Sequence, residues 1–101
     1  MSVNDFMTGH IQECIDIIHT EIKDKIFDSH EFIRHFSKKF EIEYVSFLGQ
    51  YNSAPFQYVN IQIGAFLENN KAALGIIDLG KVYSQDVFGI SSPNENWQKV
   101  N

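Results

Sequence analysis

Phe27-Asp28-Ser29-His30-Glu31-Phe32-Ile33-Arg34-His35-Phe36-Ser37-Lys38-Lys39-Phe40 is the stretch on which the fold reading turns. Asp28 as N-cap puts Glu31 three positions later, the spacing of a capping box. Phe27 before the cap and Phe32 after it have the spacing of a hydrophobic staple. Phe32, Ile33, Phe36 and Phe40 recur on one side of a helix. Arg34, Lys38 and Lys39 come late in it, where cations oppose the helix dipole. The pattern predicts a helix over 29–39.

Downstream, Glu41 to Leu48 alternates at its start like a strand, but Tyr44, Val45, Leu48 and Tyr51 fit a helical face better, and the reading leans to a helix over 41–51. Asn52-Ser53-Ala54-Pro55 reads as a loop, with Ser53 as the next cap and Pro55 tolerated in the first turn. Helix 54–69 follows, with Phe56, Val59, Ile63, Phe66 and Leu67 on its core face. Ile76-Ile77 and Lys81-Val82-Tyr83 flank Asp78-Leu79-Gly80, which predicts a short hairpin with glycine in the turn. Val87-Phe88 is a further short strand. Ser92-Pro93-Asn94-Glu95 repeats the capping-box spacing with proline at the first helical position, which predicts a half-helix over 93–101 that returns Trp97 to the body. Upstream, Ile11, Ile15, Ile18 and Ile22 are spaced 4, 3 and 4 apart, an amphipathic helix within residues 1–26. That stripe either caps the domain or pairs with a copy of itself as a homodimer.

A chain of 101 residues with 44% hydrophobic residues and nine Phe is one domain able to build its own core. The lone Cys14 offers no internal disulfide, and no basic region leads an apolar run, so the expectation is a cytoplasmic protein. No apolar run approaches the ~20 residues of a membrane helix, so no membrane partner is expected. Net charge is −5, and residues 1–54 carry nine acids against five bases. Nucleic-acid binding rests on Lys and Arg neutralising phosphates, and this balance argues against it.

Motifs of chemistry are sparse. Gly75 to Lys81 matches the start of a P-loop, but Val82 stands where Ser or Thr must hold magnesium, and a helix precedes it instead of a strand. His30 and His35 diverge round their helix, and His10 with Cys14 lacks a second pair, so no metal site and no cofactor are expected. Cys14 sits on the isoleucine side of its helix, where a thiol is core filler. With neither a nucleophile motif nor a C-x-x-C, the expectation is a non-enzymatic protein.

The order helix 29–39, helix 41–51, helix 54–69 and hairpin at about 76–88 resembles a winged helix-turn-helix domain over about residues 27–90, within a winged-helix-like unit of residues 27–92. Val59 to Leu67, followed by Leu74-Gly75-Ile76, is similar in cadence to recognition helices of small phage and mobile-element proteins. The resemblance implies an α+β, mostly helical fold with helix 54–69 in the recognition position and residues 78–81 at the wing tip. It also departs from DNA-binding members: no Lys or Arg lies between Lys39 and Lys71, and the helix offers only Gln57, Asn60 and Gln62 as base readers.

Two functions follow. One is a protein-binding module, such as a phage-type inhibitor or adaptor of nucleic-acid-handling machinery, docking through Gln57, Tyr58, Ile61, Gln62 and Glu68 on the outward face of helix 54–69. An exposed Ile beside an exposed Tyr suggests a contact face; coverage by the N-terminal helix or by the Trp97 segment is the bland alternative. The other is a winged-helix DNA-binding regulator, which needs Arg34, Lys38, Lys39, Lys71 and Lys81 to converge.

Overall fold

The computed structural model describes residues 1–100. Asp28 takes the role its position predicts: its carboxylate accepts from the Glu31 N–H at 2.9 Å and starts helix α3, Ser29–Lys39. Phe32, Ile33 and Phe36 are buried along the inner face of α3, with Phe40 half-buried at its end. Phe27 is also buried, but in a strand. The three residues Ile26–Asp28 form β1, and Phe27 pairs with Trp97. So short a strand, overlapping a helix cap, has no periodicity to reveal it.

Helix α4 spans Glu41–Leu48 and ends short of Tyr51. Its inner face is Tyr44, Phe47 and Leu48; Val45, assigned to that face from spacing, is 61% exposed. Helix α5, Pro55–Asn69, buries Val59, Ile63, Phe66 and Leu67. Its N-cap is not Ser53. Ala54 holds that position in the left-handed region (φ 48°, ψ 50°) with no side-chain cap, and Pro55 begins the first turn. A single turn, α6 (Lys71–Leu74), leads through Gly75 into the sheet.

The N-terminal region corrects the single amphipathic helix read from the isoleucine stripe. Helix α1 (Val3–Gly9) and helix α2 (Ile11–Asp16) meet at His10, and α2 runs into a π-turn over Ile17–Glu21, closed by Ile22 N–H to Ile17 C=O at 2.8 Å. One extra residue per turn shifts the phase of the stripe. Ile17, Ile18 and Ile22 are buried with Cys14, and Ile11 and Ile15 pack half-buried against the same core. Of the stripe that suggested a homodimer, Ile18 and Ile22 are spent on the protein's own interior, while Ile11 and Ile15 are only partly covered by it.

The hairpin is longer than expected and turns elsewhere. Strand β2 (Ile76–Gln85) pairs antiparallel with β3 (Ser91–Lys99), and the sheet order is β1-β3-β2. Asp78-Leu79-Gly80 is a bulge within β2 and not the turn, so residues 78–81 lie mid-strand. The turn is Asp86–Ile90, which places Val87 and Phe88 in the loop. Asp86 Oδ1 accepts from the N–H groups of Phe88 and Ile90, at 2.8 and 3.0 Å, and Gly89 supplies the positive φ.

The half-helix expected over 93–101 is strand β3 instead; Asn101 lies outside the described residues. Pro93 is tolerated because it sits beyond the reach of β1, where β3 has only β2 beside it. Trp97 does return to the body: it is fully buried and donates from Nε1 to Ser29 Oγ at 2.9 Å. The fold is α+β, helices packed on a three-stranded antiparallel sheet. Among the described residues no helix is long and apolar enough to cross a membrane.

Candidate functional site

Between the outward face of α5 and the hairpin lies a cleft of about 570 Å³. One wall is Phe56, Gln57, Asn60 and Ile61 of α5; the other is Val87, Phe88 and Pro93 of the hairpin. Phe56 and Phe88 meet edge to face with ring centroids 4.7 Å apart, so the turn residue Phe88 closes one end. Ile61 is 60% exposed and Phe88 61% exposed. The first turn of α3 forms the floor.

That floor is a polar network. His30 Nδ1 lies 2.9 Å from Ser84 Oγ, and its Nε2 lies 3.4 Å from Ser92 Oγ, a cross-strand neighbour of Ser84. Asn94, nearly buried, accepts from the His30 backbone N–H at 2.9 Å through Oδ1. Its Nδ2 donates to Val82 C=O at 3.2 Å and to Ser84 Oγ at 3.1 Å. The three contacts of His30 join α3 to the hairpin, and the two bonds from Asn94 Nδ2 tie β3 to β2, so the network anchors the hairpin on the first turn of α3. Among the described residues the His30 ring bonds only the two serines and no acidic side chain, so the three do not form the nucleophile–base–acid relay that acyl transfer uses. The arrangement acts as a strut.

The residues singled out from sequence divide among three settings. Gln57 and Ile61 line the cleft. Tyr58, 51% exposed, stacks on Tyr51 at 5.3 Å, and Gln62 donates to the Tyr51 hydroxyl at 2.5 Å. Glu68 is ion-paired to Lys71 at 3.0 Å, one turn on. Tyr58 and Ile61 are therefore exposed; neither the N-terminal helices nor the Trp97 strand covers them.

Four of the five cations a DNA-binding reading needs are tied to separate partners. Arg34 donates to Gln85 C=O at 3.1 Å, Lys39 pairs with Glu21 at 2.5 Å, Lys71 with Glu68, and Lys81 with Glu95 at 2.6 Å. The Glu21 and Glu95 carboxylates hold Lys39 and Lys81 above the usual lysine range. Lys38 borders a separate shallow hollow on α4 with exposed Ile42 and Val45.

Cys14 is buried away from the cleft, and desolvation pushes its thiol up to about 12, far from nucleophilic. Among the described residues no three His, Cys, Asp or Glu side chains come together to hold a metal ion. Sequence reasoning missed His30, Ser92, Asn94 and Phe88 as site residues. His30 meets Ser92 and Asn94 across more than sixty residues of chain, and Phe88 meets Phe56 from a separate element, so no local spacing signals the site.

No protein-family model matches this chain, and no characterised protein or solved structure is significantly similar to it.

Proposed function

We propose that this chain is a small, non-enzymatic protein-binding module of the cytoplasm, winged-helix-like in layout. In this reading it acts as a phage-type inhibitor or adaptor of nucleic-acid-handling machinery and docks through the outward face of α5. The observation that carries the reading is the exposure of Ile61 and Tyr58, at 60% and 51%, on a 15-residue helix whose opposite face ends in the core. Three residues apart, they are neighbours on the helix surface, and a tyrosine is a favoured interface anchor.

The order of α3, α4 and α5 before an antiparallel hairpin, with sheet order β1-β3-β2, supports the winged-helix-like layout. The DNA-regulator reading ranks below, because three of the five cations it requires, Lys39, Lys71 and Lys81, are paired with local carboxylates, and the hairpin turn, Asp86–Ile90, carries none.

Ile61→Asp is the cleanest test, since Tyr58 also stacks on Tyr51. The expected outcome is loss of the partner captured from the native host by the wild-type chain, with an unchanged melting temperature. Tyr58→Ala is expected to weaken that complex by about 1–2 kcal/mol. Tight duplex-DNA binding at physiological salt, falling steeply as salt rises, would reverse the ranking.

A further inference from the structure

The cleft beside α5 holds more acid than base. Asp86 and Glu95 line it against Lys81, and Lys81 is already held by Glu95. The N-terminus of α3 at the floor, which would otherwise draw an anion, is already satisfied. Its His30 N–H donates to Asn94 and its Glu31 N–H to Asp28. Above that floor the walls are apolar, and the Phe56–Phe88 pair forms an aromatic corner of the kind that attracts cations. Gln57 and Asn60 add amides able to hydrogen-bond a peptide backbone. The volume is that of a pocket for a compact group and its neighbours, not for a helix 10–12 Å across.

We propose that this cleft takes an apolar anchor side chain, aromatic by preference, from a basic extended segment of a partner protein. The proposal rests on the protein-binding reading above and adds the partner's chemistry to it. Charge complementarity selects the segment: an acidic cleft on a chain of net charge −5 repels an acidic flank and attracts a basic one.

The test uses three peptides of one shape: acetyl-Lys-Phe-Lys-amide, acetyl-Gln-Phe-Gln-amide and acetyl-Glu-Phe-Glu-amide. Each is titrated into the full chain while its backbone amide and side-chain NMR signals are followed. The lysine-flanked peptide is expected to shift signals of Asn60, Ile61 and Phe88, and to bind at least ~10-fold tighter than the glutamate-flanked one at low salt. Added salt and Glu95→Gln should each narrow that gap, whereas Phe88→Ala should weaken the lysine- and glutamine-flanked peptides alike. Equal affinities, preference for the acidic peptide, absence of binding, or shifts confined to the Ile42–Val45 face of α4 would each overturn the proposal. If it is overturned while Ile61→Asp still loses the host partner, docking through α5 stands and only the cleft's chemistry falls. If the peptides behave as expected and Ile61→Asp keeps that partner, the α5 reading falls instead.

Discussion

Asp28 and Ala54 start the two longest helices by opposite means. Asp28 satisfies an orphan N–H with its side chain, so Asp28→Ala leaves the Glu31 N–H without its acceptor at a half-buried helix end. A loss of about 1 kcal/mol is expected from chemical denaturation; no loss would mean that water replaces the cap at no cost. Ala54 instead contributes strain, because its Cβ crowds the following carbonyl in the left-handed region, at about 1–2 kcal/mol for an L-residue. Glycine removes that term but adds unfolded-chain entropy worth roughly 0.5–1 kcal/mol. Ala54→Gly is therefore expected to stabilise by up to ~1 kcal/mol. A lower melting temperature would show that the loop holds Ala54 without strain.

At the scale of elements, the joint between α3 and the hairpin is polar where the rest of the interior is apolar. Asn94 carries it: its Oδ1 accepts from the His30 N–H of the helix, and its Nδ2 donates twice to β2. Asn94→Ala strands the His30 N–H and the Val82 C=O together, and a cost of about 2–3 kcal/mol is expected. Asn94→Asp keeps the acceptor for His30 but sets a carboxylate against the Val82 carbonyl, so it should recover only part of that loss. Urea unfolding of both variants decides the point. Two equal losses would mean that the helix-side bond contributes nothing.

For the whole molecule, the buried thiol sets an alkaline limit. Cys14 ionises near 9 when exposed and only at about 12 in the folded chain, because burial penalises the thiolate. Above pH 9 the unfolded chain therefore binds fewer protons than the folded one. The stability is fully present below about 9 and falls between about 9 and 12, by at most about 1.4 kcal/mol per pH unit from this group. Burial raises the Tyr44 hydroxyl as well, in the same direction, so the decline steepens above its ordinary value of 10.0. Cys14→Ala should flatten the first part of that curve. A wild-type chain equally stable at pH 8 and pH 11 would contradict the linkage.

The sequence by itself determined whatever depends on neighbours along the chain. The Asp28 cap, helix α3 and most of the core face of α5 follow from residues within a few positions of one another, whereas the exposure of Tyr58 and Ile61 was settled only by what packs around α5. Spacing there translates directly into a shared helix face. Tertiary structure decided what local signals leave open or point to wrongly. Ser92-Pro93-Asn94-Glu95 has the spacing of a helix start, yet pairing with β2 and burial of Trp97 hold it in a strand. Asp78-Leu79-Gly80 has the composition of a turn, yet pairing continues past it as a bulge. The isoleucine stripe is helical in spacing, yet a π-turn and the available core volume assign it inward. The floor of the cleft is joined by His30 with Ser84 and Asn94, distant in sequence, across the α3–hairpin joint. A long-range contact leaves no period in the sequence, so its geometry is decided only when the core closes.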